Sequence, residues 1–504
     1  MARAGWALVL AAFAAACSVG CGSKSKSSQG QVEEPPRKKP GITFGTPGPW
    51  PVQNAIYGAS DGIQESPVVA VTTDEAENRW VATPRALYVL RPGDKAFKRY
   101  DELDGLHLGE ITGRTPGPIG WAKYCDMKPV DGGAPCSGEV VWGGANAAGI
   151  LSLVGGAPGE VFVGYSGTHA GYDSSEPAPI CFDDKNGEGG FDWCDPQRHS
   201  GKVDWVKLNA DGTLSVVRFD FLSNNHGRKY WHDRIVNRLA YDHFAHPGTL
   251  YAGTEHGVTH ISPARWTPFT GVDFDGWINT WFGDHLHALV CFHAPCNPAV
   301  STGQRTGGWQ GLAIDADGQL WHAGFFSAGR ISWDPDPLKW MERGGAAFTA
   351  GFGDPYPTAP NSEGYEGEPV FKVAQEGDFV QLSGVAVCPD GKVWFSSLGP
   401  QNGTTHTVAR WTGHHFDTWD ATSLGLGDDA VQDIACLADG RVVLAGATSG
   451  LVLYDPAANT SKAIRAGQGI PSNHVIRLEV DRMTDPPALH VATAGGAAIL
   501  RVLP

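Results

Sequence analysis

Along this chain short apolar runs alternate with turn residues, and the alternation itself repeats. Residues 437–455, LADGRVVLAGATSGLVLYD, read as two apolar strands, each entered through a tight turn. The same rhythm returns in GTLYAGTEHGVTHIS (248–262), NRWVATPRALYVLRP (78–92) and PALHVATAGGAAILRV (487–502). DADGQLWHAGFFSAGRISWDP (315–335) and CPDGKVWFSSL (388–398) carry the first strand and its turn, and GEVFVGYSG (159–167) is a seventh copy. Ahead of each copy lies another apolar run: VVAVTTD (68–74), GILSLVGG (149–156), VNRLAYD (236–242), WQGLAIDADG (309–318), LSGVAVCPDG (382–391), VQDIACLADG (431–440) and VIRLEVD (475–481). Some copies are followed by an aromatic, polar strand, as in AFKRYDELDGL (96–106) and HFDTWDATSLGL (415–426).

The unit is therefore four strands: apolar inner, apolar second, amphipathic third and polar outer. A single small sheet of this kind cannot bury both faces, whereas seven packed radially can. The expected fold is all-β, a seven-bladed β-propeller over residues 50–504 with long disulfide-clipped loop insertions. The last unit ends at Pro504 soon after a third strand. PVQNAIYGASDGI (51–63) has the register of an outer strand, since Tyr57 and Asp61-Gly62-Ile63 align with Tyr100 and Asp104-Gly105-Leu106. This N-terminal strand is expected to complete the last blade beside Ile499–Val502 and so remove the free edges; the plain alternative is an unrelated strand.

The rhythm resembles the two-component-regulator-type propeller repeat, whose pattern is roughly DGLxxNxVxxLxxDxxGxLWxGTxxGLxxYD. GQGIPSNHVIRLEVD (467–481) followed by LHVATAGGAAIL (489–500) carries the resemblance best. It implies a propeller, and it implies sensing or binding roles more than any one chemistry.

Composition narrows the class. Lys plus Arg is 38 against 54 for Asp plus Glu, a formal charge of −16, so a phosphate-binding surface and hence nucleic acid are not expected. Gly at 67 and Trp at 18 suit a turn-rich β protein. Residues 1–20 read as a lipoprotein signal peptide: Arg3, an apolar stretch Gly5–Ala16, then Cys17 and Cys21 before a Ser/Gly/Lys tether. Cys21 is the favoured lipidation site, with Cys17 the alternative, because lipidation of Cys21 leaves an even number of cysteines. An ordinary secretory signal remains the other reading. Residues 21–49 are expected to be a flexible tether, and the protein an outer-membrane lipoprotein, touching the membrane through its anchor alone.

Roughly 65 residues per unit exceeds the ~40–45 of a compact blade, and the excess sits near 107–147, 166–202, 262–307 and 334–380. Three insertions hold the close pairs Cys125/Cys136, Cys181/Cys194 and Cys291/Cys296, expected as disulfides of an oxidising compartment. Cys388 and Cys436 stand at equivalent places in neighbouring units, and the reading favours two buried thiols over a bridge.

Candidate chemistry is sparse. Aligned on the following turn, Gln310, Ser383 and Gln432 share one inner-strand position, with Asn237 at a similar place and Asn146 and Asn473 at strand entrances; such a ring could hold a polar ligand in the channel, or only water. His226 and His232, with Arg228 and Lys229 in NNHGRKYWHDR (224–234), form a patch suited to an anion. Asp284, His285, His287 and His293 could hold a divalent metal, the one cofactor class in view, although surface histidines beside a cysteine clip would read the same. CFDDKNGEGGFDWCDP (181–196) fails the EF-hand register, because Phe182 and Trp193 occupy ligand positions. No P-loop, GxSxG, HExxH or strand-borne GxGxxG is present.

The expected role is a non-catalytic binding or scaffold module for an envelope protein or glycan. The rival is a propeller enzyme: DGQLWHAG and DGKVWFSS resemble blades of streptogramin lyases and lactonase-type hydrolases, which work with a divalent metal at the channel mouth.

Overall fold

Apolar runs of five to seven residues punctuated by Asp-Gly turns cannot lengthen into helices, and they pair as antiparallel ladders. In the computed structural model, residues 52–106, 108, 149–166, 202–220, 236–254, 258–261, 288–290, 303–305, 309–324, 328–331, 346–350, 382–398, 408–411, 416–427, 429–483 and 487–502 are described. All belong to one unit, Lys38–Pro504. The described residues contain strands and short 3-10 turns and no α-helix.

Among the described residues six sheets have four strands and one has three, and a separate hairpin pairs Ala288–Val290 with Gly303–Arg305. In chain order, the first sheet is Ala70–Thr73, Arg79–Thr83, Ala86–Leu90 and Lys98–Tyr100. The second is Gly149–Gly155, Glu160–Ser166, Lys202–Leu208 and Leu214–Asp220. The third is Val236–Asp242, Thr249–Thr254 and Val258–Ile261. The fourth is Trp309–Ile314, Leu320–Gly324, Ala328–Ile331 and Ala346–Ala350. The fifth is Leu382–Val387, Val393–Ser397, Val408–Trp411 and Phe416–Trp419. The sixth is Val431–Cys436, Val442–Gly446, Leu451–Asp455 and Thr460–Ile464. The seventh is Val475–Asp481, Ala488–Thr493 and Gly496–Val502, joined by Val52–Tyr57 from the start of the chain.

The first strand of each sheet touches the first strand of the next, and that of the seventh touches that of the first. This cyclic contact of antiparallel sheets is a β-propeller arrangement. The core lies between sheets: Trp80, Leu87 and Val89 of the first pack against Ile150, Val161 and Tyr165 of the second, and Val443, Leu451 and Leu453 of the sixth against Leu478, Leu489 and Val491 of the seventh.

The N-terminal strand takes the expected place. Ala55 pairs with Ile499 and Tyr57 with Ala497, antiparallel, and the register runs back to Val52 opposite Val502. The segment then repeats the local structure of the first sheet's outer strand. Ala59–Asp61 and Glu102–Asp104 are both 3-10 turns, capped by glycines at φ 99° and 98°. At Gly62 a side chain would also meet the Phe97 carbonyl, 2.7 Å from an added Cβ, so only glycine lets the chain turn there against the first sheet. Deleting residues 50–58 strips the ladder from Gly496–Val502 and bares an apolar edge. The expected result is concentration-dependent association in size-exclusion chromatography; a monomer as stable as the full chain would contradict it.

One expectation is corrected. Cys388 and Cys436 are bridged, with Cα atoms 5.2 Å apart. First strands of neighbouring blades converge toward the axis, so equivalent positions lie closer there than farther out along the blade, and the two cysteines fall within bridging distance. The sulfurs are buried in the layer between the fifth and sixth sheets, beside Ala386, Trp394, Ile434 and Leu444.

Candidate functional site

The first strands share a local device. In the second to seventh sheets the ladder shifts register at the same place, between Ile150 and Ser152, Val236 and Arg238, Trp309 and Gly311, Leu382 and Gly384, Val431 and Asp433, and Val475 and Arg477. Each bulge re-aims the residue that follows it. In the third, sixth and seventh sheets that residue is charged: Arg238, Asp433 and Arg477. In the fourth and fifth it is Gly311 and Gly384, where an added Cβ would lie 2.7 Å from Val385 N and 2.6 Å from Asp433 Oδ1.

These charges meet across the axis. Arg238 Nη1 donates to Asp433 Oδ2 at 2.7 Å, and Nη2 donates to the Leu478 carbonyl at 2.8 Å. Asp433, 1% exposed, also accepts from Leu478 N at 2.9 Å and from its neighbour Ile434 N at 2.9 Å. Arg477 donates from Nη1 to the Gln310 carbonyl at 3.3 Å and from Nη2 to the Asn237 carbonyl at 3.1 Å. Arg238, Asn237, Gln310, Asp433, Arg477 and Leu478 thus tie the third, fourth, sixth and seventh sheets together near the start of their first strands. Burial, and next the charge of Arg238, push Arg477 down to about 10, against the pull of Asp433 and Glu479.

At the other end of the same strands the channel widens into a bowl of about 420 Å³. All seven first strands or the turns after them contribute to its wall, from Thr73 and Val154 to Ile434 and Val480. Arg482, just beyond the last first strand, reaches across it, with Nη1 donating to the Ile314 carbonyl at 3.2 Å and Nη2 to the Val387 carbonyl at 2.9 Å. It is open to the bowl yet ringed by protein, and this desolvation draws its pKa below the ordinary guanidinium value. On the wall, Thr72 donates to Glu479 Oε1 at 2.6 Å, and Thr73 Oγ1 lies 2.9 Å from His490 Nε2.

The carboxylates that end these strands serve turns. Asp242 accepts from Phe244 N, Ala245 N and His246 N, and Asp315 from Asp317 N, Gln319 N and the Trp321 indole. Asp74 does the same for Ala76, Asn78 and the Trp80 indole. Burial nevertheless raises its pKa above the usual carboxylate range.

The predicted site residues are divided. Asn237, Gln310 and Ser383 are buried at the strand entrances, 2%, 3% and 0% exposed, and Gln432 is half-buried. Ser383 turns away from the axis: its hydroxyl lies 2.9 Å from Ser396 Oγ and donates to the Val431 carbonyl of the next sheet at 2.5 Å. Asn473 serves a turn, its side-chain oxygen accepting from Ala466 N. His226, His232, Asp284, His285, His287, His293 and Asn146 lie outside the described residues, as do Cys17, Cys21, Cys125, Cys136, Cys181, Cys194, Cys291 and Cys296. Among the described residues no group of three or more His, Cys, Asp or Glu is placed to hold a metal ion.

Sequence reasoning aligned the position of the bulge and missed the next one. The signal was present: a charge inside an otherwise apolar run in VNRLAYD, VQDIACL and VIRLEVD, of opposite sign in different units. Another buried group also went unremarked. His322 of the fourth sheet is 3% exposed, and desolvation pushes its pKa down to about 3. A depressed histidine pKa means that the unfolded chain takes up the proton first. The stability tied to the neutral ring is whole above pH ~6.5 and is lost as pH falls from there toward 3. Between pH 6 and 5 the expected loss is about 1 kcal/mol more for the native protein than for His322→Phe, read by urea denaturation; equal pH slopes would contradict it.

No protein-family description and no curated protein matches the chain by sequence. Among solved structures, one of a mitotic checkpoint complex aligns with 11% identity and a TM-score of 0.45 over 89% of this chain and 94% of that one. Virginiamycin B lyase from Staphylococcus aureus aligns with 10% identity and a TM-score of 0.43 over 90% of this chain and 99% of that one. YCF48 bound to a D1 peptide aligns with 11% identity and a TM-score of 0.42, covering 92% and 100%.

Proposed function

We propose that the chain is a seven-bladed β-propeller lipoprotein of the cell envelope that works as a non-catalytic binding module for a protein or glycan. The observation that carries the reading is the arginine–aspartate tie across the axis. Groups that would be free to act in an open channel are spent there on holding opposite sheets together, which makes the centre a brace and leaves recognition to the faces. In this reading recognition falls to the insertions near 107–147, 166–202, 262–307 and 334–380, because added segments on a rigid scaffold are where partners are commonly bound. The charge of −16 suits a basic or neutral partner. No described helix is long and apolar enough to cross a membrane; the signal and the Cys21 tether supply the membrane attachment in this reading.

The test is capture from solubilised envelopes with the full chain and with a variant in which residues 262–307 are replaced by a short Gly/Ser link. The reading expects a partner retained by the first and lost by the second, and identical capture would count against it. A stoichiometric divalent metal in the purified protein, abolished by His285→Ala and His287→Ala, would favour the lyase or lactonase reading instead. Anchoring is tested by incorporation of a palmitate analogue. Cys21→Ser is expected to abolish the label and Cys17→Ser to leave it.

A further inference from the structure

The bowl at the exit end of the channel has a chemical character that the brace does not explain. Its volume, about 420 Å³, is that of a small-molecule site. Its wall is more apolar than polar, with Val154, Leu239, Leu312, Val385, Ile434 and Val480 among the lining residues. Phe244 stands at the rim and is 48% exposed, a large apolar side chain left in water beside an apolar hollow.

One charged group in this wall faces the bowl with no carboxylate bonded to it among the described residues. Arg482 is fixed by the carbonyls of Ile314 and Val387, which hold the guanidinium in place, and Asp315 attracts its charge from the same wall without a hydrogen bond to it among the described residues. The other charged groups are engaged. Arg238 is paired with Asp433, Glu479 accepts from Thr72, and His243 Nδ1 lies 3.1 Å from Glu75. Asp242 and Asp315 accept backbone amides, and Asp481 accepts from Met483 N with His490 Nε2 at 4.0 Å. Asp242, Asp315, Glu479 and Asp481 are carboxylic side chains of the same wall. They weigh against a multivalent anion such as phosphate, and they leave a singly charged one, which the fork of Arg482 can meet in two parallel bonds.

We propose that this bowl binds a carboxylate carried on a short apolar body, with the carboxylate on Arg482 and the body against the aliphatic wall under Phe244. The proposal uses no residue of the insertions invoked above, so either reading can fail alone. Two sources share this chemistry, a free medium-chain acid and the carboxyl end of a peptide finishing in an apolar residue.

Isothermal titration of the mature protein with octanoate tests it, beside 1-octanol, butyrate and inorganic phosphate. The expected result is one saturable octanoate per chain, at least tenfold weaker binding of 1-octanol, which lacks the charge, and of butyrate, which lacks the body, and no phosphate binding. Arg482→Gln is expected to weaken octanoate at least tenfold while leaving 1-octanol unchanged. Where that variant fails to fold, octanoate against 1-octanol on the native protein decides. An acetylated tripeptide ending in free Leu, compared with its amide, identifies the source: tighter binding than octanoate, lost on amidation, assigns a chain end, and weaker binding assigns the free acid. No saturable octanoate binding, equal affinity for 1-octanol, preference for phosphate, or a folded Arg482→Gln that binds octanoate normally would each overturn the proposal.

Discussion

Asp433→Ala is expected to lower the free energy of unfolding by about 3–5 kcal/mol, the loss that follows when one partner of a buried ion pair is removed. The carboxylate is 1% exposed and accepts from Arg238 at 2.7 Å and from two backbone amides at 2.9 Å. Its loss strands a cation beside Arg477, whose own pKa is already held down by burial and by Arg238. The double variant Arg238→Met/Asp433→Leu removes both charges. It is expected to recover part of the loss and not all of it, because the amides of Ile434 and Leu478 stay without their acceptor. Urea denaturation followed by tryptophan fluorescence reads both. A single variant within about 1 kcal/mol of the native protein would show that the axis is not braced by this pair.

Reducing the bridge between Cys388 and Cys436, or replacing both by Ala, is expected to cost about 4 kcal/mol. The magnitude follows from the 48 residues between the two cysteines, whose loop-closure entropy the bridge removes from the unfolded chain. The bond also joins the fifth and sixth sheets at their inner strands, so the seam beside Ala386 and Ile434 should open first. Hydrogen exchange of Leu382–Val387 and Val431–Cys436 should accelerate on reduction ahead of the first sheet. Thiol titration of the unreduced, denatured protein checks the premise: two reactive thiols assigned to Cys388 and Cys436 by mass spectrometry would remove it.

Most of the architecture was legible because its causes are local. An apolar run followed by Asp and Gly ends as a strand and a turn whatever surrounds it: Gly318, Gly391 and Gly440 all sit at φ between 75° and 85°, and Asp390 and Asp439 accept the amides two residues on. The likeness of Tyr57–Ile63 to Tyr100–Leu106 is equally local, and it was enough to place the N-terminal strand beside Gly496–Val502. The site was less legible. Gln310, Ser383 and Gln432 were aligned correctly as equivalents, yet a bulge at that position points the next residue toward the axis, and a bulge leaves no mark in a periodicity of two. Cys388 and Cys436 were expected as thiols because equivalent positions in adjacent blades can lie beyond bridging reach, while distance at the axis depends on how closely the ring is drawn in.

By itself, the order of residues determined the all-β class, the run of each inner strand, the turns between strands and the borrowed strand that completes the seventh sheet. Each of these follows from burial and backbone preference within a few residues of chain. The tertiary structure alone decided that Arg238 of one unit meets Asp433 of another, 195 residues away, that Arg482 spans to Ile314 and Val387, and that two cysteines 48 residues apart are bonded. Those contacts exist because the sheets converge on one axis, and convergence is a property of the assembled ring that no single repeat contains.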